Sequence, residues 1–349
     1  MSWYHLEAAP ISESHRQKAK ERQGSLTKPN GSLGQLEQLA ITLAGMQASE
    51  TPNCEQVAID IFAADHGVAA EGVSAFPQSV TVQMVQNFSS GGAAICVLAK
   101  SLGAQLQVTN AGTATALEQL PGVNDQRIAD GTANFVDRAA MSEAQLQTAL
   151  GIGRDRVLAA AESGAQLWIG GEMGIANTTS ATALACAWFD QPASQFVGPG
   201  TGLNNSGQIH KAAVIQRALD LFHASSQTPL KTLQYLGGFE IAALTGAYIA
   251  CAQRGLPALV DGYICSVAAL YARTINPAVA PWLLIAHRSA EPGHKRLLQE
   301  FDQSPLLDLG MRLGEGSGAA VAVPLLRLAC ALHNQMATFA TAGVDNRER

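Results

Sequence analysis

Six short apolar runs mark this chain, each leading into a polar turn. Residues 57–62 run into Asp65-His66-Gly67, 106–108 into Asn110-Ala111-Gly112, and 167–169 into Gly170-Gly171-Glu172. The other three, 196–197, 258–260 and 282–285, reach Gly198-Pro199-Gly200, Asp261-Gly262 and His287-Arg288-Ser289. Short runs of aliphatic and β-branched residues bounded by turn residues read as buried strands, and helix-length segments lie between most of them. Strands that alternate with helices, without hairpin signals, predict parallel crossovers. The expected fold class is therefore α/β, a parallel sheet flanked by helices. Ligands of such sheets gather beyond the carboxyl ends of the strands, so the polar turns should converge on one site.

Both ends of the chain fall outside this alternation. Residues 1–50 carry a Lys28-Pro29-Asn30-Gly31-Ser32-Leu33-Gly34 turn followed by a helical stretch over 35–46. Residues 302–349 carry a second glycine-rich turn followed by a helical stretch over 317–335. The two ends, 1–50 and 302–349, are expected to form one small helical domain, leaving 51–301 as a large α/β substrate-binding domain. The charged stretch 342–349 is expected to fray. No repeat of 20–50 residues is visible, which sets aside solenoid architectures.

Composition narrows the class. The 349 residues are 47% hydrophobic and 14% charged, with 33 glycines, which fits a compact Ala/Gly-rich enzyme or binding protein rather than a disordered chain. A balance of 22 basic against 28 acidic residues argues against a nucleic-acid surface, which needs a basic stripe to displace counterions. The longest uncharged stretches are polar or proline-broken, so no membrane span is expected. The opening Met-Ser-Trp-Tyr-His-Leu-Glu lacks the basic and apolar regions of a secretory leader, and a cytoplasmic location is expected. The six cysteines form no C-x-x-C pair and sit mostly in apolar runs, as buried packing thiols of a reducing compartment do.

Several chemistries are excluded by missing motifs: there is no Walker A lysine, no H-E-x-x-H and no G-x-S-x-G. Gly314, Gly316 and Ala319 match G-x-G-x-x-A, but a dinucleotide fingerprint belongs after the first strand of a β-α-β unit. His66 lacks a second ligand cluster, so it reads as a loop-positioning or ligand-bonding residue, and no metal site is expected. In 170–179, the glycines permit close ligand approach, while Asn177, Thr178 and Thr179 open a helix whose free amides suit a phosphate. Glu172 should face the same space; its bland alternative is a solvated acid beside an ordinary helix cap. Gly198-Pro199-Gly200-Thr201-Gly202 is a second close-approach turn, with Lys211 placed to contact phosphate. Glu315, between two glycines and ahead of an apolar helix, is expected to point into a cleft wall, where partial burial would lift it toward the range of a general base. The competing reading of Glu315 is an acid favoured by a helix N-terminus.

Six ordered motifs carry a family resemblance: Lys28-Pro29-x-Gly31-Ser32-Leu33-Gly34, Ala64-Asp65-His66-Gly67-Val68, Gly171-Glu172-Met173-Gly174-x-Ala176-Asn177-Thr178-Thr179, Gly237-Gly238-Phe239-Glu240, Leu259-Val260-Asp261-Gly262 and 311–320. Over about 24–335 the chain resembles the nicotinate-nucleotide:dimethylbenzimidazole phosphoribosyltransferases, which make the lower-ligand nucleotide of cobalamin. The resemblance implies a homodimer with a parallel Rossmann-like sheet and a small helical domain built from both chain ends. It also implies that Glu315 is the general base and that Glu172 lies in the active site. Gly174, Asn177, Thr178, Lys211 and Ser289 match the region holding the ribose phosphate, and Gly202 and Asp261 join the nucleotide-binding set. Phe76-Pro77-Gln78 falls where the family forms part of its benzimidazole pocket. Phe76, Met84, Met173 and Leu313 are candidates for an apolar base slot, and the identity of the accepted base stays open.

The implied chemistry needs no cofactor and no metal. Nicotinate mononucleotide bears a cationic pyridinium that leaves as a neutral pyridine, while a benzimidazole nitrogen attacks from the opposite face and later loses a proton. The rivals are a Rossmann-type NAD-dependent oxidoreductase using Gly314-x-Gly316, and a non-catalytic binder of nucleotide or benzimidazole.

Overall fold

The computed structural model describes residues 2–223 and 228–345. Helices α1 (Glu13–Ser25) and α2 (Gln35–Met46) precede strand β1 (Val57–Ala64). Helices α3 (Ser79–Ser89) and α4 (Ala94–Leu102) lead to β2 (Gln105–Gly112) and β3 (Val123–Asp125), and α5 (Glu143–Glu162) leads to β4 (Leu167–Met173). Then come α6 (Asn177–Phe189), α7 (Asn205–Phe222), α8 (Pro229–Leu236) and α9 (Phe239–Arg254) before β5 (Ala258–Val260). Helix α10 (Tyr263–Ile275) precedes β6 (Leu283–Ile285), and α11 (Pro292–Leu297), α12 (Ser317–Gln335) and α13 (Phe339–Ala342) follow.

The six strands form one sheet in the order β3-β2-β1-β4-β5-β6, with every pairing parallel. The chain winds outward from β1 to β3, then returns to the centre and winds outward from β4 to β6. That reversal leaves a crevice at the carboxyl ends of β1 and β4, where open α/β sheets bind ligands. The register pairs Phe62 with Glu172 and Ala63 with Met173, so Glu172 sits at the mouth of that crevice.

Central strands are covered on both faces, which is why they read as continuous apolar runs. All eight residues of β1 are buried. Its one charge, Asp60, is held by Arg156 Nε at 2.8 Å and Trp168 Nε1 at 2.8 Å. Helix α9 is buried along almost its whole length, against α5, α10 and the sheet. Small residues permit this packing: a Cβ on Gly153 of α5 would collide with the carbonyl of Ala243, and one on Gly246 with that of Leu150.

Two strand expectations are corrected. Residues 196–197 form no strand; they follow a 3-10 turn, Ala193–Gln195, and Phe196 stacks on Phe189 at a ring distance of 5.3 Å. Their apolar character serves packing at the end of α6. Conversely, β3 is a three-residue edge strand with no buried position, so it leaves no apolar run to read.

The chain ends meet. Leu26 pairs with Thr338, Thr27 N donates to Ala337 O at 3.0 Å, and α2 packs on α12. Helix α12 also packs on α4 and β4, which brings the residues preceding it to the carboxyl end of the sheet. Within the stretch expected to fray, Ala342 ends α13 and Val344 is half exposed, while 346–349 lie outside the described residues. No described helix is long and apolar enough to cross a membrane. All six cysteines are buried and free.

Candidate active site

A cleft of about 290 Å³ opens at the carboxyl ends of β4, β5 and β6. The end of β4 and the turn after it supply Glu172, Met173 and Gly174, and the first turn of α6 supplies Asn177 and Thr178. Asp261 arrives after β5 and Ser289 after β6. Phe76 and Leu313, 52% and 59% exposed, stand at its edge. Nine of the thirteen residues expected at the site therefore line one cleft.

The other four lie elsewhere. Lys211 and Glu315 are buried just behind the lining, next to Thr178 and Gly314 respectively. Gly202 belongs to the exposed turn beside Gly200, with φ +117°, and Met84 on α3 is half-buried against the core; neither lines the cleft. The wall also contains His287 and Glu291, from the polar stretch after β6 that was expected to converge on the site, together with Tyr263 and Arg312, which carry no site assignment from the sequence. Tyr263 follows the Asp261-Gly262 turn directly, and that adjacency was the available signal.

Cations stand on one side of the cleft. Lys211 is 1% exposed, and its Nζ donates to Thr178 Oγ1 at 2.7 Å, its one hydrogen bond among the described residues. Burial pushes the lysine down to about 8, with Glu291 opposing the shift. A Cβ on Gly200 would approach Thr178 Oγ1 to 2.8 Å and Nζ to 3.2 Å, so the lack of a side chain lets the turn pack directly over the buried ammonium. Glu291 is itself raised by burial, against the pull of Lys211 and Arg312.

The other side gathers carboxylates. Burial drives Glu172 well above the usual carboxylate range; Glu240, Asp261 and Glu315 add repulsion, while the Asn177 amide donates to Oε2 and resists. Glu315 has φ +61° between Gly314 at +85° and Gly316 at +72°, and its backbone lies on Gly171, where a Cβ would approach the Glu315 carbonyl carbon to 2.6 Å. Its carboxylate is buried and accepts from Ile95 N, in the first turn of α4, at 3.4 Å. Gly314, not the Glu315 side chain, is part of the cleft wall. Burial raises Glu315, Asp261 adds to the rise, and the Ile95 amide opposes it. Asp261 Oδ1 accepts from Ala319 N at 2.8 Å and lies 3.5 Å from His287 Nε2.

This is a site with a buried ammonium near Arg312 and Glu291 on one side and the acids Glu172, Asp261 and Glu315 on the other. A family model described as a phosphoribosyltransferase matches residues 8–344. The chain belongs to that family. The chain is 59% identical over 347 residues to the nicotinate-nucleotide–dimethylbenzimidazole phosphoribosyltransferase of Pseudomonas aeruginosa, covering 99% of both chains. It is 60% identical over 346 residues to the enzyme of the same name from Pseudomonas fluorescens, again covering 99% of both. A crystal structure of a phosphoribosyltransferase of that name from Thermus thermophilus superposes with a TM-score of 0.91 at 39% identity, over 97% of this chain and all of that one.

The fold removes the dinucleotide reading from this phosphoribosyltransferase. Gly314-x-Gly316-x-x-Ala319 follows an irregular segment rather than a strand, and the turn after β1 is Asp65-His66-Gly67. No cluster of His, Cys, Asp and Glu arranged to hold a metal ion occurs among the described residues.

Proposed function

We propose that this chain transfers the 5-phosphoribosyl group of nicotinate mononucleotide to 5,6-dimethylbenzimidazole or a related base. The products are nicotinate and, with inversion, α-ribazole 5′-phosphate for the lower ligand of cobalamin. One observation carries the reading: buried cationic Lys211 stands behind Thr178 with Arg312 and Glu291 on the wall nearby, while Glu172, Asp261 and Glu315 gather as acids around β4 and β5. Nicotinate mononucleotide has that polarity, with an anionic phosphate at one end and a cationic pyridinium on the anomeric carbon.

The phosphate is held at Gly174, Thr178, Gly200 and Ser289, with Lys211 beneath the glycine turn. Charge-assisted donors and the Thr178 amide in the first turn of α6 suit a phosphate there, the Asn177 and Thr179 amides being taken by Gly174 O and Ala176 O. The benzimidazole lies against Phe76, Met173 and Leu313. Its nitrogen attacks the anomeric carbon as the carbon–nitrogen bond to nicotinate breaks, and the bonding pair returns to the pyridine nitrogen, so the leaving group needs no proton. Positive charge passes through the ribose; a cation there favours the ionised form of the otherwise raised Glu172 carboxyl, which stabilises it in turn. Glu315 takes the N–H proton of the attached base; general-base assistance of this kind contributes about 10²–10⁴-fold. In this proposal the ends 1–50 and 302–349 form a small helical unit that delivers Glu315 to the 51–301 sheet unit, and the working assembly is a homodimer.

The test is to incubate the protein with nicotinate mononucleotide and dimethylbenzimidazole and follow nicotinate release and α-ribazole 5′-phosphate by chromatography. Binding of both substrates without product would leave only a binder. Hydride transfer with a nicotinamide dinucleotide would point to an oxidoreductase.

A further inference from the structure

The Gly237-Gly238-Phe239-Glu240 motif and the histidine of Asp65-His66-Gly67 have no role in the transfer as derived above. The fold joins them. His66 Nε2 and Glu240 Oε1 are 2.6 Å apart, both side chains are fully buried, and the partners are 174 residues apart in sequence. His66 Nδ1 and Glu240 Oε2 have no hydrogen-bond partner among the described residues. We propose that His66 and Glu240 form a positioning pair that joins the loop carrying Gln78 to the loop carrying Gly174, two residues beyond Glu172.

Three contacts argue for the join. The backbone carbonyl of His66 accepts from Gln78 Nε2 at 3.1 Å, next to Phe76 on the base side of the cleft. A Cβ on Gly174 would collide with the Ala64 carbonyl and stand 3.4 Å from the His66 ring, so the end of β1 and the ring together back the turn that enters the phosphate site. A Cβ on Gly238 would collide with the same ring, so the backbone leading into α9 closes the other side. A ring clamped between two glycine turns and bonded to a carboxylate has little room to rotate.

The charge argument is separate. Glu240 is among the groups that hold the Glu172 carboxyl up, together with Asp261 and Glu315, while Asn177 resists. Asp65, behind His66, feels the imidazole and Glu240 in opposite directions. Cys265 of α10 is a further titratable neighbour of Glu172. Replacing Glu240 by a neutral residue should therefore ease ionisation of Glu172, although the substituted residue never touches substrate.

The inference rests on the reading of Glu172 as the acid that stabilises the ribose, and two variants separate its parts. Glu240→Gln keeps the length and an acceptor for His66 but removes the charge. Its acid limb in kcat/KM for the nucleotide should move at least about half a pH unit toward acid, with KM near wild type. Glu240→Asp keeps the charge but shortens the reach. Its limb should stay in place while kcat falls at least about tenfold. An unmoved limb in a folded Glu240→Gln protein, or wild-type kcat and KM in Glu240→Asp, overturns the pair. If Glu240→Gln is insoluble, the Asp variant decides alone. Wild-type protein that releases no nicotinate overturns the transferase reading and this inference together, whereas wild-type turnover with unaffected variants overturns this inference only.

Discussion

Lys211 Nζ and Thr178 Oγ1 lie 2.7 Å apart, joining the interior of α7 to the first turn of α6 beneath the Gly200 turn. A buried ammonium with one hydrogen bond retains donors for a ligand, and a phosphate would satisfy them. Lys211→Ala is therefore expected to weaken nicotinate mononucleotide at least about tenfold while changing affinity for the free base much less. Calorimetric titration of each substrate checks this, and equal losses would remove Lys211 from the phosphate site.

The same lysine predicts a pH dependence. Its folded-state value is pushed down to about 8 by burial, so the free protein loses this positive charge as pH rises through that value. Nucleotide affinity should be level below about pH 7 and fall by up to about tenfold per unit above about 8, the limit for one proton. Lys211→Ala should abolish that dependence. An alkaline decline that persists in the variant would assign it to another group.

Glu315 meets α4 through Ile95 N, and glutamine preserves that acceptor. Glu315→Gln should consequently fold and bind nucleotide like the wild type while losing at least about tenfold in kcat, because only the proton-accepting step is impaired. Single-turnover kinetics with saturating nucleotide reads this directly, and unchanged turnover would remove Glu315 from the base role.

Glu172 should limit stability. Its folded carboxyl is raised above the unfolded value, first by burial and then by Glu240 and Asp261. The folded state then keeps a proton that the unfolded chain has lost, so stability falls as pH climbs from the unfolded value near 4.3 toward the folded one, by up to about 1.4 kcal/mol per unit. Glu172→Gln removes that penalty. Its Tm should exceed the wild type's by a margin that widens as pH rises above the unfolded value near 4.3, while activity drops. A margin independent of pH would refute the assignment.

Much of this was legible before any coordinates. Strands β1, β2, β4, β5 and β6 announce themselves because central parallel strands are apolar on both faces, and α6 and α12 start where glycine turns give way to apolar periodicity. Strand β3 was hidden because an exposed edge of three residues needs no apolar run, and 196–197 misled because aromatic packing and strand burial use the same residues. At the site, residue types were readable but depth was not. The contact of Glu315 with Ile95 spans 220 residues and the His66–Glu240 pair spans 174, distances over which no local pattern reports.

Gly314 offers a way to perturb the carboxylate cluster through the backbone alone. It has φ +85°, and a Cβ there would collide with Glu172 Oε1, which the Asn177 bond on the same carboxylate keeps from moving aside. Gly310 provides the control, with φ +68° and nothing within 4 Å of a Cβ. Gly310→Ala should cost only the left-handed backbone penalty, about 1–2 kcal/mol, with kcat unchanged. Gly314→Ala should cost a comparable amount and also lower kcat at least about tenfold, because the added methyl displaces the acid facing the ribose. Thermal melts and initial rates on the two variants separate strain from displacement. Equal kcat in both would show that Glu172 tolerates movement and that its place against Gly314 has no part in turnover.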